Sequence, residues 1–147
     1  MSQYYDVGEE TLWNPSNGAS RLFLRQVAVF EEEFGLPSGI GPMESDECQV
    51  DPAALEVFAN SLLARHRETQ HAIVRALTEG FVITVLALAE RAGVEVHWEP
   101  PPSAAPAAEL RDAQILVSAR AADGEDRQVW GEELRGKTQE LGRFMAR

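Results

Sequence analysis

The chain has 147 residues, of which 44% are apolar and 25% charged, a composition typical of one globular domain and not of a disordered chain. Its net charge of −11 disfavours direct binding to the phosphate backbone of a nucleic acid. The lone Cys48 excludes an intramolecular disulfide. The first residues lack the basic and apolar regions of a signal peptide, so we expect a cytoplasmic protein.

The acidic side chains are unevenly distributed. Residues 1–60 carry 11 acidic and two basic side chains, whereas residues 61–147 carry 13 acidic and 11 basic ones. The first part of the chain is therefore expected to attract a basic partner at long range. The alternative is that the acidity serves solubility alone.

Two short strands are predicted near the N-terminus, at residues 3–7 (QYYDV) and 11–13 (TLW), because aromatic and β-branched side chains are frequent there. The sequence WNPSNG at 13–18 is typical of a joint between a strand and a helix. A residue before proline avoids helical geometry, and the favoured N-cap candidates are Ser16, Asn17 and Ser20. We expect Trp13 to pack on the following helix, with a role in binding as the alternative.

An amphipathic helix is predicted over about residues 19–34. Its apolar side chains recur at intervals of four, three and four: Phe23, Val27, Phe30 and Phe34. Gly35 and Pro37 are expected to end it. Its last turn, where the helix dipole disfavours negative charge, contains three acids: Glu31, Glu32 and Glu33.

Residues 35–51 (GLPSGIGPMESDECQVD) are predicted to form a long irregular loop. Loops longer than about 12 residues are uncommon in compact domains and are often functional. Four acids lie in its second half: Glu44, Asp46, Glu47 and Asp51. Their order does not match a calcium-binding EF loop, and SGIGP lacks the Lys-Ser/Thr of a phosphate loop. We therefore predict a solvated loop, no metal site and no cofactor, with cation binding as the alternative.

Two further helices are expected over 52–79 and 81–92. Asp51 and Pro52 are a strong start, since a carboxylate cap precedes proline at the first helical position. The polar sequence RHRETQH at 65–71 either breaks the first helix into two or carries His66 toward the core. The run after Gly80 is apolar nearly all round and predicts a buried element. Its apolar part falls short of the roughly 20 residues that cross a bilayer, so no membrane binding is expected.

The C-terminal part divides into three predicted segments. Residues 94–98 (VEVHW) alternate as in a strand. Residues 99–108 are rich in Pro and Ala and predict an extended linker after a core domain of residues 1–98. Residues 109–147 are expected to be helical and docked on that core, and for residues 109–124 the alternative is a strand that turns at Asp123-Gly124. The chain is thus predicted to be mainly α with a minor β component, with an α+β fold and a C-terminal hairpin as the alternative.

Catalytic candidates are few. His66 lies on an apolar helical stripe, where a histidine is more often a packed core residue than a base. Cys48 is close to Asp46 and Glu47, whose charges raise the pKa of a thiol and weaken it as a nucleophile. His66 and His71 lie about 140° apart on a helix, so they cannot share a metal ion. The sequence contains no nucleophile elbow, paired-cysteine motif or dinucleotide fingerprint.

Three stretches together resemble a family of small, acidic, uncharacterised proteins from actinomycetes, described as a domain of unknown function: LWNPSNGASRLFLRQV (12–27), SGIGPMESDECQVDP (38–52) and ALTEGFVITVLALAERAG (76–93). The resemblance covers about residues 1–98 and implies an actinobacterial cytoplasmic protein. It implies no activity, cofactor or site residues.

Three functions follow as hypotheses. The first is a non-enzymatic protein-binding module, of immunity or adaptor type, that binds a basic protein. The alternatives are a small-molecule enzyme or binder with a pocket near His66, Cys48 and Trp98, and a structural homo-oligomer that dimerises through its C-terminal segment. The residues expected to bind the basic protein are Trp13, Glu31, Glu32, Glu33, Glu44, Asp46, Glu47 and Asp51.

Overall fold

The computed structural model describes residues 2–99 and 124–147. They form the strands β1 (Tyr4–Val7), β2 (Glu10–Trp13) and β3 (Glu47–Gln49) and the helices α1 (Asn17–Phe34), α2 (Pro52–Glu68), α3 (Ala72–Arg91) and α4 (Gly124–Phe144). The prediction of a mainly α fold with a minor β component is confirmed. The predicted linker at 99–108 and the choice between helix and strand at 109–123 lie outside the described residues, apart from Glu99.

The three strands form one mixed sheet in the order β2-β1-β3. β1 and β2 are an antiparallel hairpin whose turn uses Gly8 at φ 59°. β3 pairs with β1 in parallel, with Tyr5 opposite Cys48. A parallel pair needs a long connection, and here α1 and the following loop supply it.

The segment WNPSNG is the joint between β2 and α1. Ser16 is the N-cap of α1, and its hydroxyl accepts a hydrogen bond from the Ala19 amide at 3.4 Å. The helix ends at Gly35, whose φ of 61° is the left-handed conformation that glycine adopts without strain. The local features of the sequence therefore define both ends of α1.

The prediction of an irregular loop over 35–51 is wrong for its second half. There the chain forms a tight hairpin that includes β3, with Ile40 opposite Val50 and Glu44 opposite Glu47. The two central residues of its turn, Ser45 and Asp46, have φ values of 51° and 68°. Positive φ at both positions is the type I′ geometry that suits a two-residue hairpin turn. Neither residue is glycine, so the sequence carried only a weak signal for this turn.

The predicted helices over 52–79 and 81–92 have the wrong boundaries, and of the two possibilities left open for residues 65–71 the break is the one observed. The first helix, α2, ends at Glu68, and α3 begins at Ala72 with His71 as its N-cap. α3 then continues without a break through Gly80. Glycine costs a helix only about 1 kcal/mol relative to alanine, and the packing of the apolar residues that follow outweighs that cost.

The second half of α3 forms the centre of the core. Eight of the residues 81–89 are buried, whereas Ile73 and Leu77 in the first half are 63% and 75% exposed. By length and hydropathy alone, α3 would be long and apolar enough to cross a membrane. A core helix meets the same criteria, and packing inside the domain accounts for the composition of residues 81–89.

The prediction of a strand at 94–98 is wrong. These residues have no strand partner among the described residues, and the Trp98 amide donates to the Val96 carbonyl at 3.1 Å. Instead, the side-chain amide of Asn60 in α2 donates to the Glu95 carbonyl at 2.8 Å and accepts from the His97 amide at 2.7 Å. Arg67 donates to the Trp98 carbonyl at 2.6 Å. Side chains of α2 thus take the place of a neighbouring strand.

The last helix, α4, packs alongside α3. Leu134 and Thr138 on its inward face are buried, as is Met145 directly after the helix. The guanidinium of Arg91, the last residue of α3, donates to the Gly142 carbonyl at 2.5 Å and to the Met145 carbonyl at 2.7 Å, and also to the Leu12 carbonyl in β2. One side chain therefore ties together the core helix, the C-terminal helix and an edge of the sheet.

We expect Gly39→Ala to destabilise the fold by at least about 3 kcal/mol. Gly39 has φ 76°, and an added Cβ would lie 2.5 Å from the Asp51 carbonyl oxygen and 2.7 Å from the Leu55 nitrogen. In contrast, Gly136→Ala in α4 meets nothing within 4 Å and should stabilise by about 0.5–1 kcal/mol. Urea unfolding of the two variants checks this, and equal stabilities would contradict it.

Candidate functional site

Five acids at the end of α1, on the β3 hairpin and at the start of α2 are exposed: Glu32, Glu33, Glu44, Glu47 and Asp51. We call this set of residues the acidic face. Backbone contacts connect the three elements. The Asp51 amide donates to the Gly39 carbonyl at 2.7 Å, and the Gly41 amide donates to the Gln49 carbonyl at 3.2 Å. The face therefore rests on a continuous hydrogen-bonded framework.

Four members of the acidic face have side chains without a hydrogen bond or ion pair to any described residue: Glu32, Glu33, Glu44 and Glu47. The fifth, Asp51, is the N-cap of α2 and accepts a hydrogen bond from the Ala53 amide at 2.9 Å. Uncompensated charges on one surface repel each other. That surface is electrostatically complementary to a basic one.

Glu31 and Asp46, also predicted to bind, have structural contacts instead. The Glu31 carboxylate accepts hydrogen bonds from the Ser38 amide at 2.8 Å and from the Ser38 hydroxyl at 2.6 Å. Ser38 is completely buried. The Asp46 carboxylate accepts from the Gln3 amide group at 3.2 Å. These two acids hold the framework of the face, so less of their charge is available to a partner.

Trp13 packs against aromatic rings. Its ring is stacked on Tyr5 at 5.2 Å and meets Phe23 edge-on at 5.4 Å, and Phe23 lies 5.8 Å from Phe81. The Tyr5 hydroxyl and the Ser20 hydroxyl form a buried hydrogen bond of 2.7 Å beneath this cluster. Trp13 is thus placed to anchor the sheet on α1 and α3.

Cys48 is fully buried in β3. Its thiol donates to the Gly41 carbonyl, with 2.9 Å between sulfur and oxygen. Burial, with the nearby charge of Asp6, raises the pKa of the thiol to about 11. Only the thiolate is an effective nucleophile, so Cys48 is unreactive at neutral pH.

His66 is 4% exposed at the junction of α2, α3 and α4. Its Nδ1 lies 3.2 Å from the Thr78 hydroxyl, which itself donates to the Val74 carbonyl at 2.8 Å. Nδ1 must therefore donate to Thr78, which selects the neutral tautomer protonated at Nδ1. The ring also packs against Trp130, with centroids 5.5 Å apart. The contacts of His66 and those of Cys48 involve different elements, so the two candidates do not form a catalytic pair.

A cationic groove that sequence analysis missed lies between the C-terminal halves of α3 and α4. It has a volume of about 440 Å³, is open to solvent, and is lined by Ala87, Glu90, Arg91, Thr138, Gln139, Gly142, Arg143 and Arg147. These residues come from segments about 50 positions apart, so no local pattern could have revealed it. Among the described residues, no cluster of three or more His, Cys, Asp or Glu side chains could hold a metal ion.

We expect Glu31→Ala to destabilise the protein by about 1–3 kcal/mol, because it leaves the buried Ser38 amide and hydroxyl without their acceptor. Its neighbour Glu32 makes no such contact, so Glu32→Ala should change stability by less than about 0.5 kcal/mol. Chemical denaturation distinguishes the two, and a neutral Glu31→Ala would show that the contact contributes nothing.

Because of His66, the free energy of unfolding should decrease as the solution becomes acidic. Burial, with the nearby charge of Arg75, lowers the pKa of His66 from its usual 6.5. Between the unfolded and the folded pKa, the unfolded chain binds more protons, so stability decreases as the pH falls below about 6.5. His66→Gln should flatten this slope, whereas His97→Gln, at an exposed position, should not. Thermal unfolding between about pH 7.5 and 5 measures the slopes, and identical slopes in both variants would contradict the assignment.

Comparison with known proteins identifies the family. The sequence profile of a family of unknown function (DUF6086) matches residues 1–147, so the chain belongs to that family. No curated protein and no solved structure gives a match.

Proposed function

We propose that this member of the DUF6086 family is a non-enzymatic protein-binding module, of immunity or adaptor type, that binds a basic protein through its acidic face. One observation carries the proposal: the side chains of Glu32, Glu33, Glu44 and Glu47 are exposed and form no ion pair with any described residue. A surface of this kind accelerates the encounter with a partner of opposite charge.

The framework beneath the acidic face supports the proposal. The backbones of Glu44 and Glu47 are paired by hydrogen bonds of 2.8 and 2.9 Å across the type I′ turn. Glu31 fixes the loop through Ser38, and Asp51 fixes the start of α2. A surface that is already ordered loses less conformational entropy when it binds. The face can therefore present its charges in a defined arrangement.

The alternative of a small-molecule enzyme with a pocket at His66 has less support. His66 is packed, hydrogen-bonded to Thr78 and held neutral. Cys48 is a buried thiol with a raised pKa. A catalytic base must reach its substrate, and His66 is almost completely enclosed.

We further propose an actinobacterial, cytoplasmic protein. The sequence resemblance supports an actinobacterial origin. The free Cys48 supports a cytoplasmic location, because a reducing compartment keeps a lone thiol unpaired.

The test uses two double charge reversals that change the net charge equally. Glu44→Lys with Glu47→Lys alters the acidic face, and Glu132→Lys with Glu140→Lys alters exposed positions on α4. We expect affinity purification from the native cytoplasm to recover a basic protein that salt releases. The first variant should lose this protein and the control should retain it.

The purified complex then gives the association rate. The first double reversal should slow association by at least about tenfold at low salt and weaken its salt dependence, because steering is lost. If both double reversals behave alike, net charge alone acts and the acidic face is not a binding site.

A further inference from the structure

We propose that the cationic groove between α3 and α4 binds a small molecule that carries a phosphate or pyrophosphate group. The groove lies beside β2, at the opposite edge of the sheet from β3. The inference is independent of the proposed function, because it rests on different residues and on a ligand of opposite charge.

The first argument is charge. Three of the residues lining the groove are arginines, Arg91, Arg143 and Arg147, whereas Glu90 is the single acid among them. The protein as a whole has a net charge of −11. The charge of Arg147 contributes, after burial, to lowering the pKa of Arg91. Positive charge in the groove is thus partly uncompensated, which favours an anion.

The second argument concerns which of the three arginines has N–H donors available for a ligand. Arg91 is held by three backbone carbonyls, which carry only partial negative charge. It satisfies the carbonyls near the end of α4, where the helix dipole would otherwise repel an anion. Arg143 is exposed and has no hydrogen bond or ion pair with a described residue. Arg147 has only an exposed pair with Glu10 at 3.4 Å, which is a weak interaction.

The third argument is chemistry and shape. Guanidinium groups present paired N–H donors that match the oxygens of a phosphate group. Gln139 and Thr138 add polar side chains to the wall. Gly142 leaves part of the wall without a side chain, and a Cβ there would meet nothing within 4 Å. A volume of about 440 Å³ is within the range of small-molecule sites.

The test is isothermal titration of the intact protein with pyrophosphate at constant ionic strength. Wild type should show saturable binding. Arg143→Gln should weaken it about tenfold, because a charge-assisted hydrogen bond is lost. Arg25→Gln, which removes an equivalent exposed charge from α1, should leave it unchanged. Glu90→Gln should strengthen binding by about threefold or more, since it removes the repelling carboxylate.

A second pair of variants tests whether the ligand binds in the groove. Gly142→Leu should fill the groove and abolish binding, whereas Gly136→Leu on the same helix should not, because Gly136 does not line the groove. An added Cβ meets nothing within 4 Å at either position. Thermal unfolding shows whether each variant is folded. If Gly142→Leu does not fold, the difference in affinity between Arg143→Gln and Arg25→Gln tests the position of the site. Absence of saturable binding, or equal losses in those two variants, would overturn the proposal. Equally tight binding of citrate would overturn the assignment of a phosphate group.

Discussion

The arrangement of the domain depends on the hydrogen bonds that the Arg91 side chain donates. Its guanidinium donates to the carbonyls of Leu12, Gly142 and Met145, so it joins the edge of the sheet to the end of α4 at the end of the core helix. The Asn14 amide strengthens the same junction by donating to the Ala146 carbonyl at 2.8 Å. Carbonyls at the end of a helix lack partners within it. Arg91 supplies a donor to one of them, that of Gly142, and another to the Met145 carbonyl directly after the helix, and so fixes where α4 ends.

This junction also explains why charge is separated across the molecule. Arg91 brings the end of α4, with Arg143 and Arg147, to the β2 edge. The parallel pairing of β3 with β1 places the acidic hairpin at the other edge. The result is an acidic hairpin at one edge of the sheet and a cationic groove at the other. A net charge of −11 describes neither surface, because it averages over both.

The core between these surfaces is built around aromatic and aliphatic contacts of α3. Phe81 stacks on Phe30 at 4.4 Å and contacts Phe23 at 5.8 Å, which joins α3 to α1. His66 lies in the part of the core where α2, α3 and α4 meet. Its neutral form fits that position because a buried charge would lose its hydration. The two titratable candidates, His66 and Cys48, thus belong to the core.

The sequence by itself determined the features that depend on neighbours along the chain. The caps at Ser16 and Asp51, the left-handed Gly35 and the spacing of Phe23 and Val27 define helix ends and faces, because these interactions span only a few residues. The mainly α fold class followed from them. The continuity of α3 through Gly80 did not, since a local cost was outweighed by burial.

Only the tertiary structure decided what depends on distant partners. β3 forms because β1 lies beside it, and 94–98 is not a strand because Asn60 and Arg67 occupy its backbone groups. Glu31 and Glu32 are indistinguishable in sequence, yet the Glu31 carboxylate alone meets the buried Ser38. The cationic groove joins residues about 50 positions apart. Contacts of this kind are set by packing geometry, which no local pattern of residues contains.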